Sequence, residues 1–310
     1  MDNITENPFI ISTENLTFAY NGQPVLNHLN LQVPGRSIFG FLGPNGAGKS
    51  TTIKALLGLL KVKPGMIHIF NKELNSHRLD ILQRTGATIE VPSLYDHLSA
   101  RKNVEITRRL RGIPAPMVDE VIETVGLTAD SDRYVGQFST GMKQRLSLAL
   151  ALLHKPDLLI LDEPINGLDP EGIREMRNLL LRINQEQGCT IFLSSHILDE
   201  VEKICSHVAI IHLGKIIYQG ETSGLKRKNG SGGVLTLTTS DNPKCLQIMS
   251  ETHITSLLPG AVSVSYQSQE DIASIIRNLV DAGIGIYAAK PEDHRLEESF
   301  FELLKQGSEA

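Results

Sequence analysis

Residues 39–51 read Phe-Gly-Phe-Leu-Gly-Pro-Asn-Gly-Ala-Gly-Lys-Ser-Thr. It contains the pattern G-x-x-x-x-G-K-[ST] between an apolar run, Ser37–Leu42, and a helix predicted over Thr51–Leu60. A strand, a glycine-rich loop and a helix in that order form the context of a phosphate-binding loop. The glycines let successive N–H groups face an anion, and the helix N-terminus adds its dipole. The stretch therefore predicts an α/β domain that binds a nucleoside triphosphate.

Separate roles follow for the residues of this loop. Lys49 can reach the β- and γ-phosphates, and the Ser50 hydroxyl suits Mg²⁺. The alternative is a glycine-rich turn that matches the pattern by chance. The predicted nucleotide-binding residues of the loop are Gly43, Pro44, Asn45, Gly46, Ala47, Gly48, Lys49, Ser50 and Thr51.

A second acidic site follows the apolar run Leu158–Leu161, which ends in Asp162 and Glu163. In phosphate-loop enzymes an aspartate at a strand end holds Mg²⁺, which suits Asp162. Glu163 would lie beyond the γ-phosphate and could polarise the attacking water as general base. The alternative is a strand that runs into a solvated acidic turn. In a chain that also contains a phosphate loop, this acidic pair predicts Mg²⁺-dependent hydrolysis of the nucleotide.

The composition is that of a globular protein without a nucleic-acid surface. The 310 residues are 41% hydrophobic and 21% charged, with a net charge of −5. This length suits one large domain and a smaller one. The polar N-terminus does not resemble a signal peptide, and no apolar run is long enough to cross a bilayer. Three widely spaced cysteines indicate neither a disulfide framework nor a zinc site, which favours the reducing cytosol.

Hydrophobic patterning divides the chain near residue 220. Before it, nearly continuous apolar runs, including Thr190–Ser194 and His207–His212, are typical of strands buried in a parallel sheet. The glycine-rich, basic stretch 224–233 predicts a linker. We therefore expect a nucleotide-binding domain over 10–223 and a small α/β accessory domain over 234–310. The elements predicted after the linker are strand Val234–Thr239, helix Asn242–Glu251, strand Ala261–Tyr266, helix Glu270–Ala282, strand Ile284–Ala289 and helix Leu296–Lys305.

The segment Phe138-Ser-Thr-Gly-Met-Lys-Gln-Arg145 resembles the signature motif of ATP-binding-cassette (ABC) ATPases, typically L-S-G-G-Q. Ser139 and Gly141 match that motif, whereas Phe138, Thr140 and Met142 depart from it. A hydroxyl and an uncrowded N–H at a helix N-terminus can bind a γ-phosphate from outside. In this family that phosphate belongs to nucleotide held by the opposite subunit.

Other segments resemble the family in the expected order. Tyr20 is similar to the aromatic residue that stacks on adenine, although alone it would be taken for an ordinary strand tyrosine. Gly167-Leu-Asp169 resembles the loop that communicates across the dimer, and His196 resembles the switch histidine that contacts the γ-phosphate. The stretch Leu296–Leu304 resembles the terminal L-E-x-x-F helix of drug-export ATPases.

The resemblance implies a fold and a cycle. The fold would be a P-loop ABC ATPase core with an antiparallel β-subdomain and an inserted helical subdomain at about 92–155. Two cassettes, identical or paralogous, would close around two MgATP molecules, each between Lys49 of one subunit and Ser139 of the other. Hydrolysis, with Lys49, Glu163 and His196 as catalytic residues, would drive separate integral membrane permease subunits at the cytoplasmic face of the cell membrane.

Glu90 narrows the resemblance within the family. Most members have glutamine there, but Ile89-Glu-Val-Pro-Ser-Leu-Tyr95 is similar to ATPases that export bacitracin-type and lantibiotic peptides. We expect Glu90 to be a ligand near Mg²⁺ and the nucleotide; the alternative is a solvated loop acid. Other open readings are a generic drug, lipid or polysaccharide exporter, a soluble ABC protein of translation or DNA repair, and a P-loop kinase or GTPase.

Overall fold

The computed structural model describes residues 8–89, 93–227, 233–293, 300, 303 and 304. Two compact units divide the chain, Met1–Glu221 and Thr222–Ala310. The strands of the first unit are β1 (Phe9–Thr13), β2 (Leu16–Tyr20), β3 (Gln23–Leu29), β4 (Gln32–Pro34), β5 (Ile38–Leu42), β6 (Ile67–Ile69), β7 (Lys72–Glu73), β8 (Thr85–Thr88), β9 (Leu158–Leu161), β10 (Thr190–Ser195), β11 (His207–His212) and β12 (Lys215–Glu221). Its helices are α1 (Lys49–Leu56), α2 (Arg78–Gln83), α3 (Ala100–Arg111), α4 (Met117–Thr124), α5 (Thr140–Leu152), α6 (Pro170–Gln187) and α7 (Leu198–Ile204).

The central sheet of the first unit has the order β12-β11-β5-β10-β9-β8. Its strands pair in parallel except β12, which runs antiparallel to β11. Every residue of β5, β9 and β10 is buried, as the continuous apolar runs predict. The carboxyl ends of these three neighbouring strands lie at one edge of the sheet. Ligand sites of parallel α/β sheets form at such an edge.

Two antiparallel sheets accompany the central one. One has the order β4-β1-β6-β7, and the other is the hairpin β2-β3. Ile11 of β1 and Leu26 of β3 belong to the same buried cluster as Phe39 and Phe41 of β5, so these sheets share one core with the central strands. Helices α3, α4 and α5 follow one another within residues 93–155. The predicted α/β core with antiparallel and helical additions is confirmed.

The second unit is a four-stranded antiparallel sheet with helices. Its strands are β13 (Gly233–Thr239), β14 (Thr255–Leu258), β15 (Ala261–Tyr266) and β16 (Ile286–Asp293), in the order β14-β15-β13-β16. Its helices are α8 (Thr222–Arg227), α9 (Asn242–Met249) and α10 (Gln269–Asp281). From β13 onward the succession β-α-β-β-α-β with this strand order is a ferredoxin-like arrangement.

Two sequence predictions differ from the structure of the second unit, and a third is not tested. Residues 224–227, predicted as the start of the linker, belong to α8, in which Leu225 is buried. Strand β14 was not predicted, because Thr-Ser-Leu-Leu is short, largely exposed and without apolar alternation. The helix predicted over Leu296–Lys305 falls mostly outside the described residues.

In the part of the chain that the structure describes, no helix combines the length and apolarity that a bilayer crossing requires.

Candidate functional site

The phosphate loop leaves β5 and enters α1 through a tightly packed turn. Gly48 precedes the helix with φ of 114°, and a Cβ there would lie 2.9 Å from Leu26 Cδ2, so glycine is required. A Cβ on Gly43 would lie 2.5 Å from the Ile211 carbonyl oxygen. Lys49 folds back over this loop and donates from Nζ to the Gly43 carbonyl oxygen at 2.7 Å. The loop therefore holds its lysine close to the backbone that faces a phosphate.

The acidic pair after β9 is held by a serine on the neighbouring strand. Ser194, at the carboxyl end of β10, donates from Oγ to Asp162 Oδ1 at 2.6 Å. Ser194 Oγ also accepts a hydrogen bond from the backbone N–H of Glu163 at 2.9 Å. Glu163 has φ of 49°, a left-handed conformation that non-glycine residues adopt at a cost and that is concentrated at functional sites. Ser194 thus positions both acids at the strand ends.

The Glu163 carboxylate lies between two other predicted site residues. Its Oε1 lies 3.5 Å from Lys49 Nζ, and its Oε2 lies 2.8 Å from His196 Nδ1. The three residues follow β5, β9 and β10, Lys49 as the first residue of α1, so the parallel sheet brings them together. A carboxylate with a histidine and a lysine on separate oxygens has a defined orientation, which a general base requires.

These side chains line an open cleft of about 530 Å³. Tyr20 stands at its edge, about half exposed, with its ring packed edge-on against Phe18 at 4.8 Å. Gly43 and Ala47 form the back of the loop, beside Ile211. The residues that line the cleft are Tyr20, Val25, Pro44, Asn45, Gly46, Gly48, Lys49, Ser50, Thr51, Glu163, Asn166 and His196.

The donor set available to a metal ion is Ser50 and Asp162. Ser50 lines the cleft, and Asp162 lies beside Glu163 in an adjoining cavity of about 610 Å³. Among the described residues, no three His, Cys, Asp or Glu side chains gather as a metal cage. Mg²⁺ is ordinarily bound by one or two carboxylates with substrate phosphates and water, so this sparse set fits Mg²⁺ bound together with a nucleotide.

The signature serine and glycine lie in a different cavity, of about 340 Å³. Ser139 caps α5 by accepting a hydrogen bond from the Met142 N–H at 3.2 Å, and Asp169 caps α6 by accepting one from the Gly172 N–H at 2.9 Å. Both residues line this cavity together with Gly141. The structure therefore separates Ser139, Gly141 and Asp169 from the cleft that contains Lys49.

Three residues of the cleft region were not predicted from the sequence, and one predicted residue cannot be described. Val25 and Asn166 line the cleft, and Ser194 positions the two acids; none of the three was predicted as a site residue. The available signal for Ser194 was a polar side chain at the end of an otherwise apolar, fully buried strand. Glu90 lies outside the described residues, which resume at Ser93.

Comparison with known proteins gives relatives along most of the chain. The family model described as ABC transporter matches residues 26–166. The bacitracin transport ATP-binding protein BcrA of Bacillus licheniformis is 41% identical over 96% of this chain and 98% of its own length. The lantibiotic transport ATP-binding protein SrtF of Streptococcus pyogenes is 41% identical over 69% of this chain and 92% of its own.

A solved structure resembles the chain as well. The structure of cbiO1 from Clostridium perfringens, described as part of the ABC transporter complex cbiONQ, superimposes with a TM-score of 0.66. It shares 28% sequence identity and covers 71% of this chain and 92% of its own.

Proposed function

The chain belongs to the ABC transporter family as an ATP-binding subunit of the export type, and we propose that it hydrolyses ATP to export antimicrobial peptides. The observation that carries the hydrolytic part is the Glu163 carboxylate, oriented between Lys49 and His196 at the edge of a cleft lined by a phosphate loop.

Each residue of the cleft has a step in this proposal. Tyr20 stacks on the adenine, and the loop N–H groups with Lys49 bind the β- and γ-phosphates. Glu163 accepts the proton of the attacking water, and His196 holds the carboxylate and contacts the γ-phosphate. Ser50 and Asp162 would hold Mg²⁺, which would supply positive charge to offset that of the phosphates. Ser194 keeps Asp162 and Glu163 in place.

A second cassette completes each site in this proposal. Ser139 and Gly141 line a cavity apart from Lys49, at the N-terminus of the thirteen-residue helix α5. A helix N-terminus with a serine hydroxyl binds an anion, so this cavity suits the γ-phosphate held by a partner cassette. Asp169, in the same cavity, would contact the partner. The partner is a second copy of this chain or a paralogue.

The work of the ATPase would be done on integral membrane permease subunits. The BcrA and SrtF names identify transport ATP-binding proteins, and cbiO1 is described as part of a transporter complex. We place the chain at the cytoplasmic face of the cell membrane, bound to such permeases. Peptide antibiotics of the bacitracin or lantibiotic type are the proposed cargo, because the name of BcrA specifies bacitracin transport and the name of SrtF specifies lantibiotic transport.

The test is antibiotic resistance of a sensitive bacterium that expresses the chain with its permease subunits. Cells with the unchanged chain should grow at several-fold higher bacitracin or lantibiotic concentrations than cells with Glu163→Gln. If cells with the unchanged chain and cells with Glu163→Gln are equally sensitive to bacitracin and equally sensitive to the lantibiotic, the proposed cargo is contradicted. Purified chain that releases no phosphate from MgATP would contradict the hydrolytic role.

A further inference from the structure

The first turns of α5 are bonded to the loop that carries Glu163. Gln144 of α5 donates from Nε2 to the backbone carbonyl oxygen of Asn166 at 2.8 Å. Asn166 in turn donates from its backbone N–H to the Glu163 carbonyl oxygen at 3.1 Å. On the same side, a Cβ at Gly141 would lie 3.4 Å from Leu168 Cδ2, which is ordinary van der Waals contact. The helix and the loop 163–168 therefore pack directly on one another.

This contact links the cavity at the start of α5 with the cleft that contains Lys49. At one end, Ser139 and Gly141 begin α5 and line the cavity of about 340 Å³. At the other end, Glu163 and Asn166 line the cleft of about 530 Å³ that contains Lys49. Gln144 lines neither of these cavities and faces the adjoining one of about 610 Å³. It is therefore placed to act through its neighbours and not on the nucleotide.

We propose that Gln144 is a positioning residue that fixes the Glu163 loop to the signature helix. This inference rests on the proposed function, in which α5 binds the partner's nucleotide and Glu163 activates water at the chain's own. When α5 is drawn onto the partner's γ-phosphate, the hydrogen bond to Asn166 carries the loop with it. Glu163, already oriented by Lys49 and His196, is thereby brought onto the attacking water when the opposite site is filled, which makes ATP turnover cooperative.

The two ends of the Gln144 amide are used unequally. Its Oε1 is buried and, among the described residues, has no hydrogen-bond partner, whereas Nε2 donates to Asn166. An amide turned the other way would set two oxygens against each other, so the donor must face the carbonyl. The link therefore needs a donor at position 144 and no acceptor. That requirement separates substitutions of similar size.

The experiment measures MgATP turnover by the purified full chain against ATP concentration. Gln144→Met removes the donor, Gln144→Glu has an acceptor alone at neutral pH, and Gln144→Lys keeps a donor near the acids Asp162 and Glu163. We expect Gln144→Met and Gln144→Glu to lower kcat about tenfold, because each loses roughly one hydrogen bond in the transition state. Both variants should also lower the Hill coefficient towards one and leave nucleotide affinity unchanged. The Gln144→Lys variant should retain most of the kcat of the unchanged chain.

Gln187→Met, on the exposed end of α6, is the matched control and should keep both kcat and the Hill coefficient. Melting temperatures show whether each variant folds. The inference is overturned if Gln144→Met behaves like Gln187→Met, if Lys and Glu variants are equally slow, or if the loss falls on nucleotide affinity. If the unchanged chain does not turn over MgATP, or if Glu163→Gln has the same kcat as the unchanged chain, the proposed function itself is overturned and this inference with it.

Discussion

His196 Nδ1 lies 2.8 Å from Glu163 Oε2, while the other oxygen of that carboxylate lies 3.5 Å from Lys49 Nζ. The histidine and the lysine follow different strands, so the carboxylate is located by the order β5-β10-β9 of the sheet. A general base gains from such fixed orientation, because its basic oxygen must point at the water during proton transfer.

Glu163→Gln should bind ATP but hydrolyse it at least about 100-fold more slowly, because the amide cannot accept the proton. With hydrolysis blocked, the variant should accumulate as an ATP-bound dimer. Phosphate release, binding of a fluorescent ATP analogue and size-exclusion chromatography measure these three effects. Glu186→Gln, on an exposed position of α6, serves as the control. Rapid turnover by Glu163→Gln would remove the general-base role.

Ser194→Ala should destabilise the first unit by about 1–3 kcal/mol, because the Glu163 N–H and the Asp162 carboxylate lose a buried partner. It should also raise the Mg²⁺ concentration needed for half-maximal turnover. Urea unfolding and a Mg²⁺ titration measure the two effects.

The control for this change is Ser195→Ala on the same strand, which removes a hydroxyl that accepts from the Ile197 N–H. It should lower stability without changing the Mg²⁺ requirement. An equal Mg²⁺ requirement in both variants would mean that Ser194 has no specific effect on the acidic pair.

Glu90→Gln tests the residue that the sequence predicts as a ligand near Mg²⁺ and the nucleotide. We expect such a ligand to affect coupling to the permease, so the substitution should change the number of ATP molecules hydrolysed per cargo molecule more than it changes ATP affinity. Transport and phosphate release in reconstituted vesicles give this ratio. Transport and hydrolysis both equal to those of the unchanged protein would leave Glu90 as a solvated loop acid.

Glu73 should give the first unit a small pH dependence. The Ser76 hydroxyl, with smaller contributions from the N–H groups of Gly65, Ser76 and Asn75, lowers the pKa of this carboxyl to about 2 from 4.5. Because the pKa is lower in the folded state, the stabilisation is complete above pH 4.5 and is lost as the pH falls towards 2.

Glu73→Gln should therefore lower the melting temperature at pH 7 by roughly 1 °C, since the side chain is partly exposed to solvent, and the difference should shrink at pH 3. Scanning calorimetry of both proteins at the two pH values measures it. A difference that is constant between pH 7 and pH 3 would contradict the assigned cause.

The predictions from sequence succeeded where a residue's secondary structure depends on its own neighbours in the chain. The run Leu158–Leu161 is both the predicted and the observed strand, because a fully buried parallel strand has a continuous apolar signal. The glycine pattern likewise predicted the loop and a helix after it, expected over Thr51–Leu60 and observed over Lys49–Leu56. Exposed edge strand β14 carries no such signal, and it was missed.

Local spacing and periodicity were enough to predict the fold class, the phosphate loop and the residue types that the proposed ATP hydrolysis requires. Which of these residues meet depends on the tertiary structure. It brought Ser194 to the acidic pair and Gln144 to the carbonyl of Asn166, and it separated Ser139 from Lys49. These contacts join residues far apart in the chain, and strand order and helix packing create them, so no local pattern could predict them.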